Sequence, residues 1–115
     1  MPPFDAQLLL QEYGDEGLVR DLARLVIDTT PEQIDAVQKA VAANDAATLR
    51  AAAHKLRGSI VPFGMASAVE IARRIELMAA AGDLTGVDAL SRELIADVQS
   101  LRASASAWLG DTSLP

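Results

Sequence analysis

His54 is the only histidine among 115 residues, and imidazole is a side chain that can be uncharged and nucleophilic near neutral pH. Attack by such a ring on a phosphorus centre forms an N–P bond, a phosphoramidate that hands the group on readily. The local order of residues leaves that ring accessible. In a helix from Ala46 to Val61, the residues Leu49, Ala53, Leu56, Ile60 and Phe63 recur at helical spacing and form one apolar stripe. His54 lies one residue, or ~100°, off that stripe and therefore at the surface. Lys55 and Arg57 beside it supply positive charge that can steady a transferring phosphoryl group, whose chemistry is mostly positional and electrostatic. Gly58 follows one turn later, where a glycine costs roughly 1 kcal/mol relative to alanine. Helical side chains lean back over the preceding turn, so a side chain at 58 is expected to lie across the imidazole. Its omission leaves the ring open to a large partner.

Glu76 is the second candidate. A hairpin turning at Pro62–Gly64 pairs residues symmetric about the turn and brings Glu76 near the level of His54. Its carboxylate could then accept from Nδ1–H and leave Nε2 for attack. The bland reading is a solvated glutamate paired with Arg73 or Arg74. Ser59 is expected to satisfy a helix carbonyl or to pack as a small residue. Leu8, Leu9 and Leu10 with Phe63 and Met65 read either as a docking patch beside the histidine or as end-of-bundle core.

The stretch His54-Lys-Leu-Arg-Gly-Ser59, followed by Phe63-Gly64, resembles the signature of histidine phosphotransfer (HPt) domains of two-component phosphorelays. Leu56, Arg57, Gly58, Ser59, Phe63 and Gly64 fill that family's apolar, basic, glycine, small and apolar-glycine places. Arg57 stands where lysine is usual, Ile60 where a small residue is common, and Pro62 is unusual. Glu76, 22 residues after the histidine, is similar in position to a family Glu or Gln. The resemblance implies partners: response-regulator receiver domains, and a sensor or hybrid histidine kinase. It also implies that the receiver brings the acidic pocket and the Mg2+, the chain having no metal or cofactor of its own.

Half of the residues are hydrophobic but only 3% aromatic, and alanine and leucine, strong helix formers, dominate. No alternating β-type runs appear, which predicts an all-α fold. Net charge −6 argues against nucleic-acid binding, which needs clustered Lys and Arg. With no cysteine there is no disulfide or thiolate chemistry. No secretory leader or membrane span is legible, so a monomeric cytoplasmic protein without membrane insertion is expected, either free-standing or excised from a larger kinase.

The periodicity predicts a short first helix from Phe4 to Tyr13, with Asp5 as cap, a Phe4–Leu9 staple and Gly14 as stop. A long helix follows from Asp15 to about Ala43, with Leu18, Leu22, Leu25 and Val26, then Ile34, Val37 and Val41, facing inward. Thr30-Pro31 looks like a fresh start, giving one kinked helix or two in near-continuation; the shared face favours one. Asn44 and Asp45 turn into the His54 helix. Ser67-Ala-Val-Glu70 reads as a capping box for the next helix, which ends at Gly82, and Thr85 with Asp88 starts the last. Together these predict one domain over 1–115, an antiparallel up-down four-helix bundle with a short additional N-terminal helix. Its core spans about 15–109, and the tail 110–115 is expected to fray.

Three function classes are in play. A phosphorelay intermediate takes a phosphoryl group on His54 and returns it to another receiver; lacking a Gly-rich nucleotide loop, it is no ATP-dependent kinase. A helical interaction module would dock receivers without carrying phosphate. A metal or haem bundle or a hydrolase is poorly served by one histidine, no cysteine and no base–nucleophile set.

Overall fold

The computed structural model describes residues 3–110. All its regular elements are helical: α1 (Ala6–Tyr13), α2 (Glu16–Ala42), α3 (Ala46–Ile60), a 3-10 turn (Val61–Phe63), α4 (Ala66–Ala80) and α5 (Val87–Leu109). The four longer helices form the expected antiparallel bundle. α2 packs on α3, α3 on α4, α4 on α5, and α5 closes back on α2. Among the described residues no helix is long and apolar enough to cross a membrane.

Capping sets the helix starts. Asp5, Asp15 and Asp45 each accept from the backbone N–H three residues on, at 3.1, 3.3 and 3.1 Å, which satisfies donors the first turn leaves unpaired. The next two helices lack the side-chain caps read from the sequence. α4 begins at Ala66 with Met65 as an uncapped start, so Ser67 is already inside the helix, and Glu70 pairs with Arg73 instead. α5 begins at Val87 behind Gly86, and Thr85 donates its N–H to Asp83 rather than capping the helix.

α2 runs unbroken through Pro31. Thr30 is not a cap: its buried hydroxyl donates back to the Val26 carbonyl. Proline lacks an N–H, so the Ile27 carbonyl, four residues earlier, has no intrahelical donor. Nη2 of Arg102 on α5 approaches that oxygen at 3.4 Å. The helix is carried across the proline by its neighbour.

The core takes in the predicted α3 stripe, Leu49, Ala53, Leu56, Ile60 and Phe63, together with Val87, Leu94, Val98, Leu101 and Ala105 of α5. The first half of α2 is a correction. Val19, Ala23, Val26 and Ile27 are buried, whereas Leu18 is 41% and Leu25 56% exposed. The buried set is one residue round from the leucines, and its small and β-branched side chains let α2 come close to its neighbours. At one end Phe4 packs on Phe63 and on Trp108, ring centroids 5.8 and 5.3 Å apart, so the chain preceding α1 closes the bundle. Phe4 and Leu9 are both buried, as a staple requires. Gly110 ends α5 in the left-handed region; the rest of the expected frayed tail lies outside the described residues.

Candidate functional site

The site is built on the α3–α4 hairpin. Asn44, itself at positive φ, and the Asp45 cap start α3; Leu49, Ala53 and Leu56 press one face into the core and turn the neighbouring face, with His54, to solvent. The 3-10 turn at Pro62 ends the helix. Gly64, at φ +69°, takes the left-handed conformation that reverses the chain. α4 then runs back alongside α3 and sets Glu76 beside His54.

His54 has a side chain 69% exposed, while that of Glu76 is only 12% exposed. Nδ1 of His54 lies 2.8 Å from Oε1 of Glu76. Arg57 donates from Nε to Oε2 at 2.5 Å and from Nη2 to Oε1 at 3.3 Å. Burial pushes the Glu76 carboxyl up, but hydrogen bonds from Arg57 and His54, and their charges, outweigh it and hold the group below the usual carboxylate range. Glu76 is therefore not the solvated partner of Arg73, which binds Glu70 instead.

The two cations expected at the phosphoryl group part company. Lys55 is exposed on the other flank of α3, beside Thr29, Glu32 and Gln33 of α2. Arg57 leans toward α4 and binds Glu76, on the Nδ1 edge of the ring. Ser59 donates its hydroxyl to the Lys55 carbonyl at 3.3 Å. Gly58 has helical backbone, and a Cβ built there meets nothing within 4 Å. A methyl at 58 would thus not touch the His54 ring in this rotamer, contrary to the sequence argument. What it would fill is open space, so nothing inside the chain requires a glycine there.

Of the two readings open for Leu8, Leu9 and Leu10 with Phe63 and Met65, the buried Leu9 and Phe63 follow the end-of-bundle core, while Leu8 is exposed. α2 exposes Leu18 and Leu25, while Leu8, Tyr13, Val61 and Leu77 are exposed on other elements. A cleft of about 250 Å³ between α2 and α3 is lined by Leu22, Leu25, Val26, Gly58, Pro62 and Phe63 among others, one helical turn from His54. The signal was there in leucines recurring at 18, 22 and 25, but that stripe was taken for core. Among the described residues no three His, Cys, Asp or Glu side chains gather to hold a metal ion.

Over residues 21–104, from α2 into α5, the sequence matches the family described as Hpt domain. No curated protein and no solved structure matches the chain. The match covers the bundle and the whole hairpin that carries His54 and Glu76. The chain belongs to the Hpt domain family, helical bundles that act in two-component signalling as histidine phosphotransfer intermediates and not as kinases.

Proposed function

We propose that His54 accepts a phosphoryl group from the aspartyl phosphate of a receiver domain, or from a kinase, and passes it to the aspartate of another receiver. The observation that carries this is an imidazole projecting into solvent with Nδ1 held by a carboxylate. A carboxylate can only accept, so Nδ1 bears the proton and Nε2 the free pair. In the forward step that pair attacks phosphorus: the N–P bond forms, the P–O bond to the acyl oxygen breaks, and the electron pair leaves on the receiver carboxylate. The ring gains positive charge, which Glu76 offsets through Nδ1–H. In the return step a second carboxylate attacks phosphorus and the N–P electrons go back to Nε2.

In this reading Lys55, on the exposed flank of α3, reaches the phosphoryl oxygens from the far side of the ring, and Gly58 with the α2–α3 cleft leaves the receiver room to approach. The Mg2+ that balances phosphoryl charge belongs, in this reading, to the receiver. Incubation with a receiver labelled on its aspartate tests the scheme. Label should move to this chain in an acid-labile, base-stable form and vanish with His54→Gln, which leaves the helix intact because the side chain is exposed. A protein that binds receivers equally well with and without His54, and never takes label, would instead be a docking module.

A further inference from the structure

We propose that Phe4 is a positioning residue for partner docking: wedged against Phe63, it holds the turn that walls the α2–α3 cleft in the shape a receiver domain meets. The inference rests on the phosphotransfer reading of His54 and adds to it a control point outside the histidine site.

The connection between α3 and α4 is weakly held by its own backbone. Its 3-10 turn closes with a long bond, from Gly64 N–H to the Val61 carbonyl at 3.4 Å, and neither the turn nor α4 starts with a side-chain cap. Pro62 has no N–H to give. Packing must fix what hydrogen bonds do not, and Phe63, 7% exposed, is the anchor. Phe63 lines the cleft; Phe4, with ring centroids 5.8 Å apart, does not, so it backs that ring from outside the cleft. Pro3 reaches the other half of the connection, sharing a shallow depression with Met65 and Ala66 at the start of α4.

The strap that brings Phe4 there, residues 3–13, is fastened at few points. α1 has eight residues, too few for a helix to persist alone in water, and Gly14 in the left-handed region joins it to α2. Leu9 and Phe4 are its buried side chains. Ser104 of α5 pins both backbone groups of Phe4: its hydroxyl accepts the N–H at 3.2 Å and donates to the carbonyl at 3.5 Å. Phe4 also packs on Trp108, centroids 5.3 Å apart. Segments held in this way open locally at lower cost than the core. Once Phe4 leaves, Phe63 loses its packing on one side and the turn samples arrangements in which the cleft is not formed. Apparent receiver affinity then falls with the fraction of molecules that keep it formed. Coupling of this kind is reciprocal, so a receiver seated in the cleft must tighten the strap by the same factor. The chemical step is spared, because His54 takes its orientation from α4.

The test uses the full chain and an unphosphorylated receiver domain chosen by titration against wild type. Phe4→Ala should weaken binding, and raise KM for transfer, about tenfold, the effect of cutting the competent turn to about one-tenth of molecules. The kcat at saturating receiver should not change. Phe4→Leu, which keeps most of the apolar bulk, should fall between. Val87→Ala truncates a buried side chain at the opposite end of α5, about 30 Å from Trp108 by helical rise; it should destabilise the bundle and leave KM alone. Adding receiver to wild type should slow hydrogen exchange at the Phe4 N–H by about the same tenfold, a response that a merely structural residue would not give. An unchanged KM in Phe4→Ala, an equal rise in Val87→Ala, or Phe4 exchange indifferent to receiver would overturn the proposal. Labelling separates it from the relay reading. A wild type that binds receiver and protects Phe4 but never takes label sinks the relay and leaves the strap coupling; one that takes label, with Phe4→Ala indistinguishable from it, does the opposite.

Discussion

Gly58 separates access from stability. A glycine inside a helix sacrifices roughly 1 kcal/mol relative to alanine, and here neither a positive φ nor a crowded Cβ demands it. Gly58→Ala should therefore stabilise the fold by up to ~1 kcal/mol in urea unfolding while slowing transfer from a receiver. Gly58→Leu, whose branches extend further into the partner's space, should slow it more. Equal transfer rates in all three proteins would mean that the open face is not used. At this scale the sequence was informative for an instructive reason. His54, Gly58 and Glu76 are set by spacing along two helices and by hairpin symmetry, which are regular. The direction of the Arg57 side chain is not regular: it depends on which neighbour across the hairpin offers the better acceptor, and Glu76, withdrawn from water, wins it.

Helix α2 shows the same division at the next level. Its length, cap and Pro31 were legible because each has a local cause. Its inward face was not, since two apolar stripes run one residue apart and only packing against α3 and α5 chooses between Leu18-Leu22-Leu25 and Val19-Ala23-Val26. The choice leaves Leu25 exposed and Leu22 half-buried, lining the cleft with Gly58. At Pro31, Arg102 of α5 reaches the Ile27 carbonyl that the proline leaves without its helical donor. Arg102→Met keeps the apolar stem and removes the donor, so unfolding free energy should drop by about 1–3 kcal/mol, the range for stranding a buried polar group. Pro31→Ala supplies an N–H to that carbonyl from within the helix and should make Arg102→Met nearly neutral. Additive effects of the two substitutions in thermal unfolding would show that Arg102 stabilises the bundle by some other contact.

Over the whole molecule the charges are sorted. Residues 46–80, the hairpin bearing His54, hold five basic side chains (Arg50, Lys55, Arg57, Arg73, Arg74) against Glu70 and Glu76, a net +3. In a chain of net −6, that leaves −9 on the remainder. On the proposed relay reading, an acidic receiver pocket would be attracted by the hairpin of a protein that repels it elsewhere, a field that orients as well as accelerates encounter. At 0.15 M salt the screening length is only about 8 Å, so attraction by the near face outlasts repulsion from the far one as salt is first added. Net charge alone predicts that two anionic proteins meet faster as salt screens them. Charge sorting predicts the reverse: the second-order rate of phosphotransfer should fall by about tenfold from low to high salt. Arg50→Glu with Arg74→Glu, both exposed and outside the His54–Glu76–Arg57 contacts, should lower the low-salt rate and flatten that dependence. The first-order rate at saturating receiver should change little, because these residues act before the partners are in place. A rate that climbs with salt in wild type would mean that the acidic remainder governs the encounter and that the positive hairpin does not steer it.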